Sequence, residues 1–228
     1  MARTRTPNSI PKFIAIPGQP QIYAEGKHEY KYLSALADNG AILPYAKGTL
    51  LPSTEVERRI EAIKRDIDND AIECVIWIVD GSDQHIKERT NHFIPFYIEW
   101  LSKKDKEWEK LHVLINTPCL EYWFLLHRTD PPLNDKKGVP ICFENAKALL
   151  DSPIFIEHCK AKGANLVSAV VRDAAGRKKA IQRAKNLSNH LNNLAEKNLM
   201  KVARAEMYQI FELIKVESPS YLSHNCVD

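Results

Sequence analysis

The chain has 228 residues, of which 44% are hydrophobic and 27% are charged, and its formal net charge is +3. Such a small net charge excludes a molecule that attracts nucleic acid over its whole surface, so any basic surface must be local. The five cysteines are widely spaced and form no CxxC pair, which argues against a structural zinc site and favours reduced thiols. No apolar stretch approaches the ~20 residues that span a bilayer. The sequence therefore predicts a globular cytoplasmic protein without a membrane partner.

The N-terminal part predicts an arm followed by a strand, a turn and a helix. Prolines limit regular structure in residues 1–20, and Gln21–Ala24 forms a short apolar strand. Leucines and tyrosine then recur at helical spacing until Asn39-Gly40, which supplies a stop. Glu25 lies at the carboxyl end of the strand. Glu29 lies in the first helical turn, either as a site residue or because the helix dipole favours an acid there.

The next segments predict an edge strand and an amphipathic helix. Ala41–Tyr45 reads as an edge strand, since Pro44 excludes a central position. Thr54 and Glu57 form a capping box, and the helix behind them runs towards Asp68.

The central strand is the run of β-branched and aromatic residues from Val75 to Val79, which is typical of a strand buried on both faces. Asp80 ends it, and Gly81, Ser82 and Asp83 follow. This stretch is either a simple polar turn or a pair of carboxylates that hold a hard cation at the edge of the sheet.

Further along, His85–Lys103 predicts a helix with a break near residues 91–94, because Pro95 falls inside it. Leu111–Ile115 predicts another short strand. Pro118 is suited to the first position of the next, deeply buried helix. That helix carries Glu121 and His127, which burial penalises unless they are paired or face a cavity.

After the linker at 128–138 the chain predicts helices, among them 173–199 and 202–216. Strands that alternate with helices predict a mostly parallel sheet flanked by helices, an α/β fold. The predicted parts are the arm at 1–20, an α/β core at 21–128 and a mainly helical C-terminal extension at 129–228.

Three acidic side chains meet at one edge of such a sheet if their strands are neighbours: Glu25, Asp80 and Asp83. Carboxylates with open coordination positions suit Mg²⁺ or Mn²⁺, which can activate water for phosphodiester cleavage. Phosphate contacts need positive charge, and the candidates are Lys27 and the basic residues of the helix after residue 172: Arg177, Lys178 and Arg183. An ordinary exposed helix face explains these basic residues nearly as well.

No Walker A, GxGxxG or GxSxG pattern is present, which argues against a P-loop ATPase, a dinucleotide enzyme or a serine hydrolase.

Three blocks of this sequence resemble the RloB-like proteins of the wider Toprim superfamily, which also contains nucleases of the overcoming-lysogenization-defect type. The blocks are AEGKHEYKYL at 24–33, IVDGSD at 78–83 and INTPCLEYWFLLH at 115–127. The first resembles the family pattern EGxxE. The third resembles NPCFExWLLLH, with Thr117 inserted and Leu120 in place of a phenylalanine, and it is the most specific of the three.

The resemblance implies a Toprim-like core with a Mg²⁺-dependent (or Mn²⁺-dependent) phosphoryl-transfer site, in proteins of bacterial defence against phage. It implies that Glu25 acts as acid or base and metal ligand, and that Asp80 is the main metal ligand. The superfamily expects Asp-x-Asp, whereas Ser82 occupies the second acidic position here. Either Asp83 takes the place of the second acidic residue, through a change in the turn that Gly81 permits, or the site is degenerate.

Glu121 and His127 have two interpretations. Either Glu121 lies near the metal and His127 contacts substrate phosphate, or both tie a buried helix to neighbouring backbone. The resulting hypothesis is a metal-dependent nuclease. The alternatives are a non-catalytic subunit that binds nucleic acid or a partner ATPase, and phosphoryl transfer to a small molecule. The sequence is compatible with a homodimer and does not fix the oligomeric state or choose between DNA and RNA.

Overall fold

A computed structural model describes most of the chain. The described residues are 20–43, 48–50, 56–81, 89–103, 106–131, 142–159, 166–191 and 202–214. The predicted arm at 1–20, the capping residue Thr54 and the metal-ligand candidate Asp83 lie outside these ranges, apart from residue 20 itself.

One mixed sheet forms the centre of the fold. Its strands are β1 (Gln21–Ala24), β2 (Thr49–Leu50), β3 (Val75–Asp80), β4 (Leu111–Thr117) and β5 (Arg204–Ala205). Their order is β2-β1-β3-β4-β5, and only the β4–β5 pair is antiparallel. The predicted mostly parallel α/β sheet is therefore confirmed.

Helices cover both faces of this sheet. They are α1 (Lys27–Asp38), α2 (Val56–Ile67), a π-helix (Arg89–Phe93), α3 (Ile94–Ser102), α4 (Lys106–Glu109), α5 (Leu120–Arg128), α6 (Ala146–Leu150), α7 (Pro153–His158), α8 (Leu166–Arg172), α9 (Ala174–Leu191), a 3₁₀-helix (Glu206–Gln209) and α10 (Ile210–Leu213). The predicted helical C-terminal extension is confirmed. No described helix is long and apolar enough to cross a membrane.

Alternate residues of β3 divide the core into two parts. Ile76 and Ile78 pack with α1, α5 and α9, whereas Trp77 and Val79 pack with α2, the π-helix and α3. Successive strand residues point to opposite faces, so a strand buried on both sides shows an uninterrupted apolar run. This is why the central strand was readable from its composition.

The strand register places the acidic positions at one edge. Ala24 pairs with Ile78, and Asp80 pairs with Asn116 on β4. Because β1, β3 and β4 are parallel, their carboxyl ends meet there, and this is the edge at which ligands bind in open α/β sheets.

Two predicted boundaries in the first half of the core have different outcomes. The break near residues 91–94 is confirmed, because the π-helix ends at Phe93 and Pro95 lies in the first turn of α3. The edge strand predicted at 41–45 is wrong for the part that is described. Ile42 is buried in the core without joining the sheet, and the strand beside β1 is instead β2.

Two further predictions are wrong at the level of individual residues. Pro118 does not begin the buried helix, because the backbone of Cys119 is still extended and α5 starts at Leu120. Residues 202–205 are extended rather than helical. Here Ala205 pairs with Asn116, and this pairing with β4 imposes an extended conformation.

Candidate acidic site at the carboxyl edge of the sheet

Glu25 joins the ends of the first and third strands. Its amide donates to the carbonyl of Ile78 at 3.2 Å, and its Oε2 accepts from the backbone amide of Asp80 at 2.8 Å. The carboxylate of Glu25 is therefore fixed directly beside the residue that ends β3. A hydrogen bond from a carboxylate to a backbone amide is of the stronger, charge-assisted kind.

Arg59 of α2 forms an ion pair with Glu25, and both side chains are 7% exposed. This partner was missed in the sequence. A signal was present, because Arg59 follows Val56 by three residues and precedes Ile63 by four, which places it on the buried face of its helix. A guanidinium on an apolar face needs a carboxylate or comparable partner, since burying an unpaired charge is costly.

Glu29 lies in the first turn of α1 and is only 2% exposed. Burial is the largest cause that raises its pKa, to about 8, and the charges of Asp80, Glu121 and Glu25 raise it further. Like charges that crowd together oppose ionisation, so Glu29 keeps its proton near neutral pH. The structure thus brings four carboxyl groups from three sequence segments within electrostatic reach of each other.

Gly26 provides the space for this arrangement. The position that a Cβ would take on Gly26 collides with Oε2 of Glu29. The glycine of the EGxxE pattern therefore allows the buried carboxyl group to fold back over the turn. Glycine is used where another group approaches the backbone closely.

Glu121 lies in the first turn of α5, and its carboxylate contacts Nδ1 of His28 at 3.0 Å. The side chain of His28 is 69% exposed. The pair therefore lies at the solvent side of the acidic cluster, which consists of Glu25, Glu29, Asp80 and Glu121. Cys119 is buried next to it, and burial together with the charges of Glu121 and Asp80 raises the pKa of the thiol. Such an environment is typical of a packed, unreactive thiol.

Gly81 holds the turn after β3 close to the end of β4. Its amide donates to the carbonyl oxygen of Asn116 at 2.7 Å. A Cβ on Gly81 would lie 2.9 Å from that oxygen and would also collide with Oγ1 of Thr117. Gly81 itself is therefore held against the end of β4.

Comparisons with known proteins identify the family of this chain. The family model of the RloB-like proteins matches residues 21–215. The chain belongs to the RloB-like family. Searches of curated proteins and of solved structures return no match. The matched range of the RloB-like model contains every described residue of the acidic cluster.

Two of the three metal ligands predicted for this RloB-like protein lie within the described residues. Glu25 and Asp80 are adjacent, while Asp83 lies outside the described residues. Within the described ranges, no group of three or more His, Cys, Asp or Glu side chains has the spacing to hold a metal ion. Arg59 and the amide of Asp80 contact the oxygens of Glu25, and Glu29 carries a proton near neutral pH.

His127 lies away from the acidic cluster, although it belongs to the same helix as Glu121. Their spacing of six positions corresponds to about 9 Å along the helix axis. His127 is 4% exposed, and its ring contacts that of Trp123 edge-on. Burial is the largest cause that lowers its pKa, to about 3. The charge of Asp173 opposes this shift, and three arginines add to it.

The four predicted nucleic-acid-binding residues have different settings. Lys27 and Lys178 are exposed, whereas Arg177 and Arg183 are half-buried. Arg177 donates to the carbonyl of Val171 at 3.4 Å, and Arg183 donates to the carbonyl of Leu126. The two arginines therefore point towards α8 and α5 and not only to solvent.

Proposed function

We propose that this RloB-like protein is a metal-dependent nuclease that uses the acidic cluster to cleave phosphodiester bonds. The observation that carries the proposal is the crowding of four carboxyl groups at the carboxyl edge of a parallel sheet. Burial, reinforced by this crowding, raises the pKa of the buried Glu29 to about 8. Perturbed carboxyl groups at such an edge are typical of functional sites.

The fit to a divalent cation rests on the same crowding. Bringing carboxylates together raises the free energy of the metal-free site, and a hard cation with oxygen ligands relieves that repulsion. Glu25 and Asp80 would hold Mg²⁺ or Mn²⁺ together with Asp83. When bound, the ion activates water and stabilises negative charge on phosphate oxygens.

The remaining residues have roles that follow from their contacts. Glu29 holds a proton on its carboxyl group near neutral pH, which suits a proton donor. Arg59 fixes the orientation of Glu25, the proposed acid or base. Glu121 orients the exposed imidazole of His28 at the entrance to the cluster.

Nucleic acid is the proposed substrate. The exposed Lys27 begins α1 two residues after Glu25, which places a positive charge beside the acidic cluster where phosphates must approach. Lys178 supplies exposed charge on α9. The resemblance of the sequence to proteins of bacterial defence against phage suggests foreign or host nucleic acid as the target, with a partner ATPase as a further component.

The test is cleavage of a panel of DNA and RNA, each with Mg²⁺ or Mn²⁺, by the wild type, Asp80→Asn and Asp70→Asn. Asp70 is exposed and precedes β3 at the opposite edge of the sheet, so it is a matched control. We expect metal-dependent cleavage that falls at least about hundredfold in Asp80→Asn, because metal catalysis supplies several kcal/mol. We expect Asp70→Asn to cleave as the wild type does. Equal activity in all three proteins would contradict the proposal.

A second candidate is a non-catalytic subunit that binds nucleic acid or a partner ATPase. The ion pair between Arg59 and Glu25 favours it, because a guanidinium already neutralises one proposed metal ligand. Calorimetric titration with Mg²⁺ and Mn²⁺ separates the two functions. Binding that is lost in Asp80→Asn favours the nuclease, and a silent titration of folded wild-type protein favours the binding subunit.

A further inference from the structure

A basic cluster surrounds the C-terminal end of α5. It consists of Arg128, Arg177 and Arg183, and the buried His127 directly precedes Arg128 on α5. Arg183 donates to the carbonyl of Leu126, the residue before His127, and Arg128 pairs with Asp173 at 3.2 Å. All three guanidinium groups and Asp173 also act on the pKa of His127.

His127 has polar atoms that the described residues leave unsatisfied. Both ring nitrogens are buried, and neither has a hydrogen-bond partner within the described part of the chain. The buried Nε of Arg128 has none there either. Buried polar groups are normally hydrogen-bonded. The ring nitrogens of His127 are therefore available to a ligand that approaches the three arginines.

The start of α9 adds a third feature. Asp173 caps this helix by accepting from the amide of Gly176 at 2.7 Å, and Arg177 lies in its first turn. The N-terminal end of an 18-residue helix carries partial positive charge and attracts anions. Asp173 is one carboxylate among three guanidinium groups, so the cluster keeps an excess of positive charge.

We propose that this cluster is a phosphate-binding site, in which Arg128, Arg177 and Arg183 bind the oxygens of a phosphate group and His127 donates to one of them. Arginine suits this role because its planar group offers several donors to phosphate. The three arginines are only half-buried, so their side chains keep part of their surface in contact with solvent. The neutral imidazole contributes a donor without adding charge.

The ligand has two possible sources with the same chemistry, a phosphate of a nucleic-acid strand or free phosphate. In the first case the site extends the proposed function, because the strand would contact the protein at the basic cluster as well as at the acidic cluster. The experiment reads binding and not cleavage, and it is done without divalent metal. Failure of the nuclease proposal and failure of the phosphate site therefore give different results.

The first measurement is calorimetric titration of the full chain with inorganic phosphate in buffer that contains EDTA. The variants are Arg177→Met, Arg177→Lys and the control Lys179→Met, which removes the same charge from an exposed position two residues along α9. We expect saturable binding in the wild type and in Lys179→Met. We expect the Kd to rise at least about tenfold in Arg177→Met, which is the loss of one charge-assisted hydrogen bond. Arg177→Lys, which keeps the charge, tests the same contact if the methionine variant does not fold.

The second measurement locates the ligand. Phosphate should shift the ¹⁵N signals of the His127 ring, identified by their absence in His127→Gln, and should leave those of the exposed His92 unchanged. A single-stranded DNA of eight nucleotides that displaces phosphate assigns the site to a strand, and failure to displace it assigns the site to free phosphate. Equal weakening in Arg177→Met and Lys179→Met would overturn the proposal. So would the lack of saturable binding up to about 10 mM phosphate, where the affinity would be weaker than that of ordinary ligands.

Discussion

The two ends of α5 lie in opposite electrostatic environments. Its first turn places Glu121 beside Asp80, Glu25 and Glu29, whereas its last turn places His127 and Arg128 beside two further arginines. Beside each end one titratable group is buried, Glu29 near the first turn and His127 in the last, and burial is the main cause that opposes its ionisation. The acid is held protonated and the base is held neutral, so both are uncharged near pH 7.

This contrast separates the chemistry that each end can perform. A crowded set of carboxyl groups favours a cation or a proton, and a crowded set of guanidinium groups favours an anion. One helix of nine residues therefore connects a proposed cleavage site to a proposed phosphate site. Each variant below changes a group near one end of α5 and should leave the other end unchanged.

The largest effect is expected at the acidic end, from Arg59→Met. It leaves the carboxylate of Glu25 buried without its guanidinium partner, which should lower the free energy of unfolding by about 3–5 kcal/mol. Arg58→Met, at the exposed neighbouring position, should change it by less than about 1 kcal/mol. Urea denaturation measures both variants, and similar losses for the two would show that the buried ion pair is not important for stability.

The pH dependence of unfolding tests the proton on Glu29. Its pKa is about 8 in the folded protein and 4.5 ordinarily, so between these values the native state holds a proton that the unfolded chain has released. The free energy of unfolding should therefore fall as the pH rises from about 4.5 to about 8, by up to about 4 kcal/mol. Glu29→Gln should remove this contribution, and the exposed Glu61→Gln should keep it. Identical slopes in the two variants, measured by denaturation in EDTA, would contradict the prediction.

The opposite pH dependence is expected at the basic end. The pKa of His127 is about 3 in the folded protein and 6.5 ordinarily, so here the unfolded chain binds the proton first. Stability from this group is fully present above about pH 6.5 and is lost as the pH falls towards 3, again by up to about 4 kcal/mol. His127→Gln should flatten this acid limb, whereas His92→Gln, at an exposed position, should not. An unchanged acid limb in His127→Gln would show that other groups govern acid unfolding.

Much of the core was predictable because local patterns and the sheet agree there. The apolar run that ends at Asp80, the helix that ends before Gly40 and the break before Pro95 are all present. The errors lie where tertiary contacts override local preference. Residues 202–205 have the composition of a helix, yet Ala205 pairs with β4 and the carboxylate of Glu206 accepts from the amide of Ile115 at 2.7 Å.

The candidate site was predictable in part. The strand pattern brought Glu25 and Asp80 to one edge, and the motifs drew attention to Glu121. Arg59 was missed because its partner lies 34 residues away, and the importance of Glu29 depends on charges from two other segments as well as its own. The metal-ligand role of Asp83 stays a prediction.

The sequence by itself determined the alternation of strands and helices, the edge at which the acidic residues gather and the RloB-like family. Periodicity and residue type carry this information, because they reflect burial along one segment at a time. Only the tertiary structure decided which groups are charged and what each faces. The protonated Glu29, the Arg59–Glu25 pair and the arginines around His127 all depend on distances between segments far apart in the chain. Coulomb interactions and desolvation act through those distances, and no local pattern records them.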